Sequence, residues 1–175
     1  MLHQTFLKAV KQYPEKTAIV YDQQRINYQE LYNRVVRFSK ALRSIGVKKF
    51  DCIAIVLPNC PEFVISFYAA AILETIALPL NPAFKEGEIN FYLNDTGASV
   101  VITDKARSEL CRKVISQLDR KIELIVVDGD EPSTLSFYNL IQNETEDFAE
   151  VSPYEGDVIY QYSSGSTGRP KRVAR

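Results

Sequence analysis

The chain is 175 residues long, 46% hydrophobic and 25% charged, with a formal net charge of −1. That is room for one sizeable core and an ordinary globular composition, which excludes a disordered chain. The near-neutral balance gives no general pull toward nucleic acid or an anionic membrane.

Leu2, Phe6, Leu7 and Val10 recur at helical spacing, and Pro14 ends that first helix before the extended run 17–21. A turn over 22–24 and the residues Arg25, Ile26 and Asn27 complete a small hairpin. Asn27 then reads as a helix N-cap with Glu30 three residues on. Leu31, Val35, Phe38, Leu42 and Ile45 form the apolar stripe of that helix, and Gly46 closes it. Arg34, Arg37, Lys40 and Arg43 fall on its other side as a solvated face.

The run 52–57 is uniformly apolar and of strand length. Pro58 and Asn59 follow it, and Pro61 and Glu62 open an apolar helix to about residue 75. Residues 76–80 return as a strand that Asn81 and Pro82 break. A helix over 85–95 faces inward through Ile89, Tyr92 and Leu93, 99–103 is a third buried strand, and a helix over 105–118 precedes a strand at 122–127. After Asp128 and Gly129 the pattern weakens. Residues 136–142 allow one or two helical turns, and 157–162 form a last strand. Strands alternating with helices, each too evenly apolar for a one-sided sheet, predict an α/β fold: a mostly parallel sheet with helices on both faces.

Cys52, Cys60 and Cys111 are odd in number and lack CxxC or Cys/His spacing, so neither a disulfide framework nor a metal site is expected, and a reducing, cytoplasmic setting fits. No secretory leader pattern opens the sequence. The richest apolar run, 63–73, ends at Glu74, short of the roughly 20 residues that a membrane-spanning helix needs, so no transmembrane segment is expected. The Asn94 and Asn143 glycosylation triplets are then chance matches. Between Asp128 and Asp157 there are nine acidic residues and no Lys or Arg, whereas Arg169, Lys171, Arg172 and Arg175 crowd the end. The stretch 128–156 reads as a solvated acidic connection.

The basic end sits on YSSGSTGRPK, residues 162–171. Gly165 and Gly168 permit the left-handed backbone that turns N–H groups inward, and Ser163, Ser164, Ser166 and Thr167 add hydroxyl donors. Lys171 supplies a compact positive charge, and Pro170 stiffens the approach to it. This is the chemistry of a phosphate cradle at the carboxyl end of a strand, where open α/β sheets hold ligands. It is not a Walker-type loop, because 165–171 reads GSTGRPK with proline before the lysine and arginine after it. Nor is it a nucleophile elbow, since the one histidine, His3, lies at a terminus expected to be poorly ordered.

Four stretches carry a wider resemblance: INYQELYNRVVRFSKALRSIGVKKFD at 26–51, IAIVLPNCPEFVISFYAA at 53–70, ALPLNPAFKEGEINFYLNDTGASVVIT at 77–103 and DVIYQYSSGSTGRPKRV at 157–173. Together they resemble the AMP-forming, adenylate-forming ligase superfamily of acyl-CoA synthetases, peptide-synthetase adenylation domains and luciferases. The match covers nearly the whole chain, is weakest over 128–154 and is highly specific only in the last stretch. It implies that residues 1–175 are a single partial domain, the truncated N-terminal portion of an adenylate-forming enzyme's large domain. It implies a reaction in which a carboxylic acid attacks the α-phosphorus of Mg-ATP to give an acyl-adenylate and pyrophosphate. A thiol, often coenzyme A, then takes the acyl group.

By the matching positions, the resemblance assigns Ser163, Ser164, Gly165, Ser166, Thr167, Gly168 and Lys171 to phosphate contact, with Lys171 orienting the phosphates, and no metal ligand. A fatty or aryl acid is favoured as substrate. The family's Gly-x-Thr-Glu motif, ribose aspartate, hinge and C-terminal lysine have no counterpart in the sequence, so residues 1–175 alone are expected to be inactive. Three departures stand out: Arg172, Phe50 and Glu74 occupy positions where the family usually has glycine. Two readings of other classes remain open, a non-catalytic nucleotide-binding module and an interaction or scaffold fragment that self-associates through uncovered apolar surface.

Overall fold

Helix α1 (Leu2–Gln12) leads into an antiparallel hairpin of β1 (Thr17–Tyr21) and β2 (Gln24–Asn27), turned at Asp22, whose φ is 51°. The structure, a computed structural model, describes residues 2–144, 158–163 and 170–175. Asn27 caps α2 (Tyr28–Ser44) by accepting from the Glu30 N–H at 2.7 Å. The Glu30 carboxylate does not serve that cap but pairs with Arg34 one turn on, at 2.5 Å. Gly46, at φ 99°, ends the helix, as the sequence predicts.

The main sheet is β3 (Cys52–Val56), β4 (Ile76–Pro79), β5 (Val100–Thr103), β6 (Glu123–Val126) and the two-residue β7 (Leu135–Ser136), in spatial order β4-β3-β5-β6-β7 with every pairing parallel. The chain moves one way from β3 to β4 and the other way from β4 through β5 to β6. Right-handed crossovers therefore put α3 (Pro61–Ile72) on one face and α4 (Glu86–Thr96) with α5 (Lys105–Ser116) on the other. Two cores result. Ile53, Ile55, Val100, Ile102 and Ile125 pack under α1, α2, α3 and α6 (Phe137–Gln142), while Cys52, Ala54, Val56, Val101 and Leu124 pack under α4 and α5. Strand residues alternate between two apolar layers, which is why the strands carry no polar face.

Several boundaries differ from the sequence expectation. Helix α3 stops at Ile72 rather than near residue 75, because Glu74 adopts a left-handed backbone (φ 58°) and Thr75 turns its hydroxyl onto the Ala70 carbonyl at 2.9 Å. Helix α5 stops at Ser116 rather than 118. The N-terminus is not loose: His3 is 1% exposed, within a helix whose Phe6 stacks on Tyr68 of α3 at 4.3 Å. Strand β7 has no counterpart in the sequence reading, and two residues are too few to leave a pattern.

Candidate functional site

The last described elements are β8 (Tyr160–Ser163) and β9 (Lys171–Ala174), an antiparallel hairpin with Tyr162 opposite Arg172 and Ser163 opposite Lys171. The expected last strand is thus real but shorter than 157–162 would suggest, and its partner is β9. A single parallel bridge, Ala77 to Ile159, with the Ala77 N–H donating to the Val158 carbonyl at 2.9 Å, ties the hairpin to the β4 edge. Because that bridge is parallel, β8 points its carboxyl end the same way as the main sheet, the end at which such sheets bind ligands.

Of the seven residues predicted to contact phosphate, the structure brings two together. Ser163 and Lys171 are the final register pair of the hairpin, both exposed. Ser164, Gly165, Ser166, Thr167 and Gly168 lie outside the described residues. An ammonium opposite a hydroxyl at a strand end is suited to an anion: the charge attracts it and both groups donate.

The opposite face of the hairpin is docked. Tyr160 and Tyr162 pack on the core beneath α4, and the Tyr162 ring meets Tyr92 edge-on with centroids 4.6 Å apart. The Tyr162 hydroxyl donates to Asp95 Oδ2 at 2.5 Å, and partial burial together with that carboxylate pushes its pKa up, so it remains a donor. Arg172, at the position where the resemblance leads one to expect glycine, donates to the Asp95 carbonyl at 3.0 Å and lies over the Tyr160 ring at 4.8 Å. It needs no left-handed backbone, since it sits in a regular strand. Sequence reasoning missed these contacts. Only the alternation of Tyr160, Tyr162 and Arg172 with Gln161, Ser163 and Lys171 could have signalled a docked and a free face.

A separate cleft of about 320 Å³ opens at the carboxyl ends of β3, β5 and β6, lined by Leu57, Cys60, Glu62, Asp104, Asp128 and Tyr138 among others. Its carboxylates are engaged: Glu62 accepts from the Tyr138 hydroxyl, Asp104 from Arg107, and Asp128 from the Lys105 N–H at 2.5 Å. Three carboxylates give it the wrong sign for a polyphosphate. Among the described residues no cluster of His, Cys, Asp or Glu is placed to hold a metal, and no helix is long and apolar enough to cross a membrane. The three cysteines are unpaired, and burial raises each thiol pKa to about 11, so they are poor nucleophiles.

A parallel sheet with its chain reversal between β3 and β5, and a hairpin set against its β4 edge, is the frame of an open α/β protein, a class that holds ligands at the carboxyl ends of its strands. Residues 6–175 match the family model described as AMP-binding enzyme, and the chain belongs to that family. It is 34% identical over 145 residues to 4-coumarate–CoA ligase 2 of Solanum tuberosum, covering 82% of this chain and 26% of that protein. It is 25% identical to the long-chain-fatty-acid–CoA ligase of Bacillus subtilis, covering 92% of this chain and 34% of that protein. The solved anthranilate CoA ligase in complex with anthranoyl-AMP superposes with a TM-score of 0.91 at 25% identity over 98% of this chain and 34% of that one. The chain therefore spans about a quarter to a third of the length of these three relatives. It corresponds to the N-terminal part of AMP-forming acyl- or aryl-CoA ligases, and its α/β fold is theirs.

Proposed function

We propose that these residues form one wall of the active site of an ATP-dependent, AMP-forming ligase that activates a carboxylic acid as an acyl-adenylate and passes it to a thiol, with coenzyme A as acceptor. The observation that carries this is the pairing of Ser163 with Lys171 at the mouth of an anchored hairpin. The intervening sequence SGSTGRP is rich in hydroxyls and in backbone donors unobstructed by Cβ. Ser163, Ser164, Gly165, Ser166, Thr167, Gly168 and Lys171 are the proposed phosphate contacts. Such donors would hold the β- and γ-phosphates, with Lys171 orienting the departing pyrophosphate in line with the attacking carboxylate. Magnesium belongs with the nucleotide, and the proposal gives it no ligand among residues 1–175. Aryl and fatty acids are the favoured substrates because the relatives named for coumarate, anthranilate and long-chain fatty acids lie on both sides of that choice. The unpaired thiols suit a cytoplasmic setting.

The test is acid-dependent exchange of pyrophosphate into ATP by the whole encoded protein, run against a panel of aryl and fatty acids. Exchange that appears with one class of acid and falls about ten- to a hundredfold in Lys171→Ala supports the reading, that being the worth of a charge-assisted hydrogen bond. Exchange unaffected by Lys171→Ala, or absent with every acid, defeats it.

A second reading concerns residues 1–175 taken alone. Tyr13, Val20 and Tyr21 expose large apolar side chains around the β1–β2 hairpin, Val20 at 59%. Surface of that kind favours self-association of the isolated segment, which concentration-dependent sedimentation would detect.

A further inference from the structure

We propose that Asp95 is a two-point anchor for the β8–β9 hairpin, and that Asp95, Tyr162 and Arg172 are positioning residues that aim Ser163 and Lys171 away from α4 toward the ligand. The nucleotide part of this inference rests on the function proposed above.

Asp95 occupies an unusual place in α4. Asp95 lies in the last turn of that helix, where the carbonyl ends of the peptide dipoles make a carboxylate unfavourable. It is also where backbone carbonyls lack intrahelical partners. Arg172 answers both conditions: its Nη1 donates to the Asp95 carbonyl at 3.0 Å and stands 3.6 Å from the Asp95 carboxylate. The Tyr162 hydroxyl reaches the same carboxylate oxygen. Tyr162 and Arg172 are register partners on the two strands, one rung before Ser163 and Lys171. One residue of α4, through its carboxylate and its backbone carbonyl, thus holds both strands of the hairpin.

Strand alternation converts this anchor into a direction. Tyr160, Tyr162 and Arg172 share the face laid on α4, and the edge-on contact of Tyr162 with Tyr92 and the placement of Arg172 over the Tyr160 ring close that face. Ser163 and Lys171 must then lie on the other face. Beyond the bridge to β4, its ladder is four register pairs extended by the reciprocal Ile159–Arg175 backbone bonds. A hairpin that short is marginal without side-chain docking. Releasing the anchor would therefore leave the hairpin free to tilt, and Ser163 and Lys171 would lose a fixed aim.

Two measurements on the intact protein test this. The first is hydrogen exchange without any ligand, comparing wild type with Asp95→Ala and Arg172→Ala. Asp95 is 40% exposed on a helix that accepts alanine readily, so the variant keeps the fold. Amides of β8 and β9 are expected to lose protection about tenfold in Asp95→Ala, with those of β5 unchanged. The double variant of Asp95 and Arg172 should lose more protection than Asp95→Ala, because that substitution removes the carboxylate but keeps the backbone carbonyl to which Arg172 donates. Unchanged protection in β8 and β9 overturns the anchor, whatever the nucleotide does. The second is pyrophosphate exchange: KM for ATP should rise severalfold with kcat held, whereas loss of kcat alone, or an unmoved KM despite loosened strands, overturns the positioning role. If wild type shows no exchange with any acid while Asp95→Ala still loosens the hairpin, the nucleotide role is refuted and the anchor stands as a structural contact.

Discussion

Phe50 and Glu74 show how single residues carry this fold at a cost. Both adopt left-handed backbone, at φ 70° and 58°, and the Phe50 N–H donates to the Glu74 carbonyl at 3.0 Å, joining the turn before β3 to the turn before β4. These are two of the three positions where the family resemblance leads one to expect glycine, and the geometry gives the reason: a Cβ in this region crowds the following carbonyl, costing about 1–2 kcal/mol. Each side chain recovers part of that through Lys49, which pairs with the Glu74 carboxylate and lies 5.1 Å from the Phe50 ring centroid. Phe50 is 59% exposed and has little packing to lose. Phe50→Gly is therefore expected to stabilise the protein by about 0.5–1 kcal/mol in chemical denaturation, and Phe50→Ala, which keeps the Cβ, not to. Glu74→Gly should gain less, since it breaks the ion pair. His3 gives a pH prediction at the same scale. Burial lowers its pKa from the ordinary 6.5, so the folded state holds the imidazole neutral and binds fewer protons than the unfolded chain. The stability linked to His3 is then fully present above pH 6.5 and is lost as pH falls from there through the lowered folded value. Thermal melts of wild type and His3→Leu should diverge in slope across that window, with the variant flatter; parallel slopes would show that His3 does not titrate between the two states.

At the scale of elements, the caps decide where helices begin. Asn27→Ala removes the acceptor for the Glu30 N–H and should cost about 1 kcal/mol, read as a lower denaturation midpoint at unchanged slope. Asn27, the α2 stripe, the proline that opens α3 and the evenly apolar strands were legible in the sequence because each is a local signal: a cap, a period or a breaker. The main sheet followed from them, since parallel strands buried on both faces leave alternation between two apolar layers and no polar register. What was not legible depends on distant partners. Nothing in Lys171, Arg172, Val173 and Ala174 announces a strand; β9 exists because β8 offers it a ladder and Asp95, 77 positions away from Arg172, offers that side chain a carbonyl. His3 was misjudged for the same reason. Its position in the chain suggested disorder, whereas the helix carrying it is pinned by Phe6 on Tyr68. Of the candidate site, residue types and location were readable from the sequence, but the free and docked faces of the hairpin required tertiary structure.

The whole molecule is two apolar layers sharing one sheet, and the layers are not equivalent. The layer under α1, α2 and α3 reaches as far as α6, where Phe38 and Phe137, both fully buried, meet with ring centroids 4.3 Å apart. The contact fastens the stretch beyond β6 to the N-terminal helices, so Phe38→Ala should cost about 3–5 kcal/mol and loosen α6 together with α2. The layer under α4 and α5 instead reaches the β8–β9 hairpin through Tyr160 and Tyr162. A ligand site at that hairpin is therefore supported from one side only, by α4, and its other side opens away from the described core. Because residues 1–175 correspond to about a quarter of the coumarate ligase that they match, most of an enclosing chamber must come from elsewhere in such a protein. One hairpin makes too few directed contacts to discriminate a nucleotide by itself. Residues 1–175 expressed alone are accordingly expected to fold their sheet, bind ATP weakly in calorimetry and give no acid-dependent pyrophosphate exchange, while the whole encoded protein gives it. Exchange by the isolated segment would mean that the chemistry is complete on this one wall, and would falsify the division of labour proposed for it.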